Sequence, residues 1–197
     1  MSAPLTAADG EVLAGLAAAA VAAQLAGHPF AGHPADGHPP TSPLHAPGAT
    51  FITLSTAGQL RGCIGSLEAQ RPLYRDVTRN AVRAMTDPRF RPVNHTDWPH
   101  LDVSVSVLSP PEPIPTPTPE TLLAALRPHV DGLTLTSGRR RATFLPRVWE
   151  KLPTPEQFVA ALLAKGGWPP ARWPPGLSAH RYTAREFHNL APRPTWR

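Results

Sequence analysis

Residues 50–65 read TFITLSTAGQLRGCIG, two β-rich runs on either side of Ala57-Gly58. The alternation from Thr50 to Ser55, a turn at Ala57-Gly58 and the return from Gln59 to Ile64 predict a β-hairpin. Its second arm carries the hexapeptide LRGCIG, Leu60 to Gly65, in which Cys63 is the only cysteine of the chain. Gly62 and Gly65 on either side allow close backbone approach or positive φ, and leave room beside the sulfur that larger side chains would fill.

Outward from the hairpin, Pro72 sits where a helix accepts proline, in its first turn. Leu73, Val77, Ala81, Ala84 and Met85 then recur at spacings of four and three, so residues 72–86 are expected to form a core-facing helix that stops at Asp87-Pro88. Leu101, Val103, Val105 and Val107 alternate with Asp102, Ser104 and Ser106 and predict a strand with one buried face. Residues 110–119, PPEPIPTPTP, read as an extended polyproline-like connection that is poor strand and cannot be helix. A short helix at Pro119 to Leu126, a second hairpin (Gly132 to Thr136 and Ala142 to Leu145), a helix at Pro155 to Lys165 and one last extended segment from Leu177 to Phe187 complete that half. Upstream, Thr6 is the expected N-cap of a helix over residues 7–25. Helices mixed with hairpins point to an α+β fold with a mainly antiparallel sheet flanked by helices.

The chain has 197 residues, of which 41% are hydrophobic, enough for one good-sized core or a main domain with a smaller lobe. One cysteine permits no intramolecular disulfide, which suits a reducing, cytoplasmic setting. The apolar stretch Val12 to Leu25 is largely alanine and shorter than a spanning helix needs, and no Lys or Arg precedes Arg61, so neither a membrane span nor a secretory leader is expected. Residues 1–60 carry a net charge of −3 and residues 61–197 carry +8. The arginines are scattered over several segments without interleaved aromatic residues, so nucleic acid is not an expected partner. Gly-His-Pro recurs at residues 27, 32 and 37, giving His28, His33 and His38 with His45 nearby. This tract over residues 27–48 reads as a low-complexity loop with adventitious metal affinity, since its prolines prevent a compact site.

Taken together the motifs resemble the AMMECR domain family, protein A of the AmmeMemoRadiSam system in prokaryotes. LRGCIG is the family's signature hexapeptide. Asp87-Pro88-Arg89-Phe90 with Pro92, Ser106 to Ser109, Asp131-Gly132-Leu133, Phe144-Leu145-Pro146 with Val148, and Phe158, Lys165, Gly167 and Trp173 follow in the family's order. Three features depart from it: Leu163 stands where a second cysteine is frequent, Gly166 replaces alanine, and the His-Pro-Gly tract is long. The resemblance implies a single AMMECR-like domain over residues 1–197, with a larger and a smaller lobe and the hexapeptide lining a cleft between them. It further implies company with a Memo-like protein and a radical SAM protein, and so a small-molecule or modification pathway.

Within that frame Cys63 is the candidate nucleophile. A thiol of ordinary pKa, about 8.5, needs a nearby positive charge or helix N-terminus to reach the thiolate at neutral pH. Arg61, two residues away, shares its face in a regular strand and is separated from it by a bend at Gly62. His95, in the loop after Asp-Pro-Arg-Phe, is the candidate base ahead of His100, His129 and His180. Arg89 suits a bidentate hold on an anionic substrate. Arg61, Gly62, Gly65, Asp87, Arg89 and Lys165 complete the expected substrate-binding set. No glycine-rich phosphate loop and no zinc spacing occur, so neither a nucleotide cofactor nor a structural metal is expected. The competing reading is a non-catalytic adaptor whose proline-rich segment docks a partner.

Overall fold

The computed structural model describes residues 4–28, 30, 38–39, 41–115, 118–169 and 173–194. In chain order the elements are α1 (Ala7–Leu25), β1 (Pro47–Gly48), β2 (Thr50–Thr56), β3 (Gln59–Gly65), β4 (Arg71–Pro72), α2 (Leu73–Ala84), β5 (Leu101–Leu108), β6 (Glu112–Ile114), α3 (Pro119–Ala125), β7 (Gly132–Ser137), β8 (Arg140–Phe144), α4 (Pro155–Lys165), β9 (Ser178–Tyr182) and β10 (Ala184–Asn189). The fold is α+β with antiparallel pairing, and the chain divides into two compact units, one of residues 1–108 with 185–197 and one of residues 109–184.

In the first unit a four-stranded sheet runs β10-β5-β2-β3. Ile52 and Leu54 of β2 and Leu101, Val103 and Val105 of β5 point to one face, against Leu13, Ala17 and Val21 of α1 and Val77, Ala81 and Ala84 of α2. The alternating residues lie on the other face, with Thr53 opposite Cys63 on one side and Ser104 on the other. Thr6 caps α1 through a capping box with Asp9, as its position before the apolar run leads one to expect. By length and composition α1 could cross a membrane, but Leu13, Ala14, Ala17, Ala20 and Val21 are buried in this core, and it serves here as a core helix.

A buried polar network fastens α2 to the sheet. Asp76, fully buried, accepts the Thr50 backbone N–H at 2.9 Å, the Thr50 hydroxyl at 2.8 Å, the Ser66 hydroxyl at 2.8 Å and Arg71 Nη1 at 2.7 Å. Asn80, one turn on, donates to Asp76 at 3.0 Å and to Ser66 Oγ at 3.1 Å. Both sit inside the apolar stripe of α2, where a buried carboxylate is tolerated only with this many donors.

The second unit has a four-stranded sheet in the order β6-β9-β7-β8. Its core stacks Trp149 on Phe158 at 3.9 Å, and the Trp149 indole N–H reaches the Asp131 carbonyl at 2.7 Å. Leu122, Leu133, Leu135 and Leu162 fill in around them.

Two sequence expectations are corrected here. The proline-rich connection is not uniformly polyproline-like: Glu112–Ile114 is a strand, pairing Pro113 with His180, and an edge position tolerates the missing proline N–H. The last extended segment is two strands, β9 in the second unit's sheet and β10 in the first's, separated at Thr183. The second hairpin turns at Gly138-Arg139, with Gly138 at φ 59°. Residues 29, 31–37 and 40 of the Gly-His-Pro tract, His33 among them, lie outside the described residues. Near the end of the tract, Pro43–His45 forms a 3-10 turn and the His45 ring meets the Tyr74 ring edge-on at 5.5 Å.

Candidate functional site

Cys63 lies on β3, an edge strand, so its outward N–H and C=O would have no ladder partner. Asp87 and Arg89, in the loop after α2, supply both. The Cys63 N–H donates to Asp87 Oδ2 at 2.9 Å, and Arg89 Nη2 donates to the Cys63 carbonyl at 3.0 Å. The two side chains are locked to each other: Arg89 Nη2 meets Asp87 Oδ2 at 2.6 Å, and Arg89 Nε and backbone N–H meet Oδ1 at 3.0 and 3.1 Å. Asp87 is buried, whereas the Arg89 side chain is 58% exposed. The Arg89 hydrogen bonds, helped by the Cys63 and Arg89 N–H groups, hold the Asp87 carboxyl far below the usual carboxylate range against the opposing effect of burial. The same bond to Asp87 raises the Arg89 pKa, with a smaller contribution from the Cys63 thiol nearby.

The two glycines have different structural reasons. A Cβ on Gly62 would lie 2.0 Å from the Ala84 carbonyl, so Gly62 lets the end of α2 close onto β3. A Cβ on Gly65 would lie 2.3 Å from the Phe51 ring, its cross-strand partner. Neither has a positive φ, and the space each leaves is filled by protein. With Gly62 turned toward α2, the Cys63 thiol points to the helix-free face of the sheet, where the Thr53 hydroxyl donates to Sγ at 3.4 Å.

Arg61 takes another direction. The register slips between Leu54 and Ser55, leaving Arg61 unpaired in a β-bulge. Its Nη2 lies 3.4 Å from the Arg91 carbonyl and 3.6 Å from Asp97 Oδ2. Asp97 is also gripped by Arg91 at 2.6 and 2.9 Å and by the Asn94 N–H at 3.0 Å. Burial pushes the Asp97 carboxyl up, but the Arg91 and Asn94 hydrogen bonds and the Arg61 and Arg91 charges outweigh it and lower its pKa. His95 lines a hollow of about 460 Å³ whose other walls include Leu25, Arg83, Met85 and Val93. Lys165 belongs to the second unit, where its ammonium donates to the Thr143 carbonyl at 2.8 Å and lies 5.0 Å over the Phe144 ring.

Cys63, Asp87 and Arg89, with Gly62, therefore form one contact cluster, and Arg61 is held in an adjoining one. Sequence reasoning missed Thr53, Arg91 and Asp97. Thr53 gave no usable signal, because registering the hairpin on Ala57-Gly58 alone sets Ile52 opposite Cys63, and only the bulge at Arg61 brings Thr53 there. Arg89 Nη1 forms no hydrogen bond or ion pair among the described residues, and the guanidinium lies 5.4 Å over the Phe90 ring. Among the described residues no three His, Cys, Asp or Glu side chains group as metal ligands would.

The family model described as AMMECR1 matches residues 14–187, a span that takes in all of the second unit and most of the first. A protein of Methanothermobacter thermautotrophicus is 38% identical over 145 residues, 70% of this chain and 73% of that protein. Protein MJ0810 of Methanocaldococcus jannaschii is 36% identical over 152 residues, 73% of this chain and 74% of that protein. The crystal structure of the uncharacterized protein PH0010 from Pyrococcus horikoshii matches with a TM-score of 0.83 at 32% identity, covering 93% of each chain.

Proposed function

The chain belongs to the AMMECR1 family, and we propose that it is an enzyme, or a subunit of one, in which Cys63 acts on a small anionic substrate. The observation that carries this reading is the clamp at Cys63: both main-chain polar groups of the cysteine are fixed by the Asp87–Arg89 pair, and the thiol receives the Thr53 hydroxyl. In this reading the thiol, which accepts the Thr53 hydroxyl while Arg89 holds the main-chain carbonyl of the same residue, is the nucleophile. Asp87 fixes Arg89, whose side chain stays 58% exposed, and in this reading its remaining donor meets a carboxylate or phosphate. Arg61 is assigned to positioning the Asp97 loop, because its Nη2 is spent on Asp97 and the Arg91 carbonyl. His95 remains the proposed base for its place in the loop after Asp-Pro-Arg-Phe, and Lys165 a proposed substrate contact on the strength of the family resemblance. The same resemblance supports a pathway shared with Memo-like and radical SAM proteins, and the single cysteine suits a cytoplasmic setting for it.

The test is retention of ligand. Full-length protein is incubated with a small-molecule extract, desalted and analysed by mass spectrometry under native and denaturing conditions. The expected result is an anionic compound retained by the wild type and lost from both Arg89→Gln and Cys63→Ala. A compound set unchanged by both substitutions would sink the proposal.

A further inference from the structure

The outer face of α2 carries a feature that the Cys63 cluster does not use. Arg71, Arg75, Arg79 and Arg83 recur at every fourth residue. Arg75, Arg79 and Arg83 lie on α2, where each step advances about 6 Å and turns about 40°, so they form a row about 12 Å long, with Arg71 in β4 just before it. Neighbouring like charges at this spacing weaken a helix rather than support it. The one acid in residues 71–86, Asp76, is buried and already holds Arg71. Arg75 leans on Tyr74, its Nε donating to the hydroxyl at 2.9 Å. The side chains of Arg79 and Arg83 have no ion pair or hydrogen bond among the described residues.

Beside this row lies an open hollow of about 720 Å³, to whose walls Phe30, Thr78 and Val82 contribute along with the arginines. Phe30 and Val82 pack on the hydrophobic core beneath and form an apolar floor. A basic row at intervals of four residues next to an apolar floor complements an amphipathic helix with glutamates at the same interval and aliphatic residues on the adjacent stripe. We propose that the outer face of α2 docks an acidic amphipathic helix of a partner protein through Arg75, Arg79 and Arg83, with Phe30 and Val82 receiving its apolar stripe. Single-stranded nucleic acid fits less well, because Phe30 is the one aromatic side chain among the described residues lining the hollow and successive bases require successive stacking surfaces.

The probe is a fluorescein-labelled synthetic helix of about 20 residues with glutamates every fourth position and leucines beside them, titrated with the full chain by fluorescence anisotropy. A matched peptide with glutamine for glutamate, and an oligothymidylate of about 20 nucleotides, serve as competitors. The expected result is saturable binding of the acidic helix, weakened about tenfold or more by Arg75→Glu with Arg79→Glu and Arg83→Glu. The milder triple change to glutamine acts in the same direction and covers the case in which charge reversal unfolds α2. A control triple, Arg139→Glu with Arg147→Glu and Lys151→Glu, removes the same charge elsewhere and is expected to change affinity less than about threefold. Equal losses in both glutamate triples would reduce the binding to net charge and overturn the proposal. So would no saturable binding, equal binding of the glutamine peptide, or displacement of the helix by oligothymidylate at lower concentration than unlabelled helix.

Discussion

A Cβ on Gly62 would lie 2.0 Å from the carbonyl oxygen of Ala84, backbone at the end of α2 that a side-chain rotation cannot move. Gly62→Ala is therefore expected to cost about 1–3 kcal/mol of stability, read as a lower urea midpoint. Gly15→Ala is the control, since nothing lies within 4 Å of its Cβ and alanine is the better helix former; it should gain about 0.5–1 kcal/mol. Asp87 sets a second test. Its pKa is depressed in the folded protein, so the stability it contributes is present above the unfolded-state value of about 3.9 and lost as the pH falls from there toward the folded value. Asp87→Asn should lower stability at pH 7 and flatten the loss of stability below about pH 4. An unchanged acid limb in urea titrations would assign that limb to other carboxylates, Asp97 first among them. At this scale the meeting of Cys63, Asp87 and Arg89 was legible from the motif series, but its geometry was not, because contacts between residues 63 and 87–89 leave no local pattern.

The α2 helix carries the argument from residues to elements. Its apolar period was plain in the sequence, and Leu73–Ala84 lies within the predicted span. Asp76 and Asn80 interrupt that stripe four residues apart, and this was the available sign that the helix docks through a polar network as well as by burial. Removing the Asp76 carboxylate strands the Thr50 N–H, two hydroxyl groups and Arg71. Asp76→Ala should thus cost about 3–5 kcal/mol, with faster amide exchange in both α2 and β2. Fast exchange confined to α2 would contradict the coupling of the two elements. The strand Glu112–Ile114 and the division between β9 and β10 escaped sequence reading for a common reason. Proline-rich or short segments carry little period-2 signal, and which sheet a strand joins is decided by partners remote in the chain.

Over the whole molecule the sequence indicated the α+β class and most elements, because helical and alternating periods are local, while the assignment of strands to two sheets depended on pairings many residues apart. The central claim concerns the one thiol of the chain, and this simplifies its test. Iodoacetamide labels no other cysteine, so the second-order rate at pH 7 can be compared between native protein and the same chain unfolded in urea, where the thiol is fully accessible. Partial burial alone makes the native rate slower. Activation by Arg89 and Thr53 predicts a native rate faster than the unfolded one by about tenfold, reduced toward it in Arg89→Gln and in Thr53→Val. A native rate equal to or below that of the unfolded chain would contradict a reactive Cys63 and leave the LRGCIG strand with a packing role.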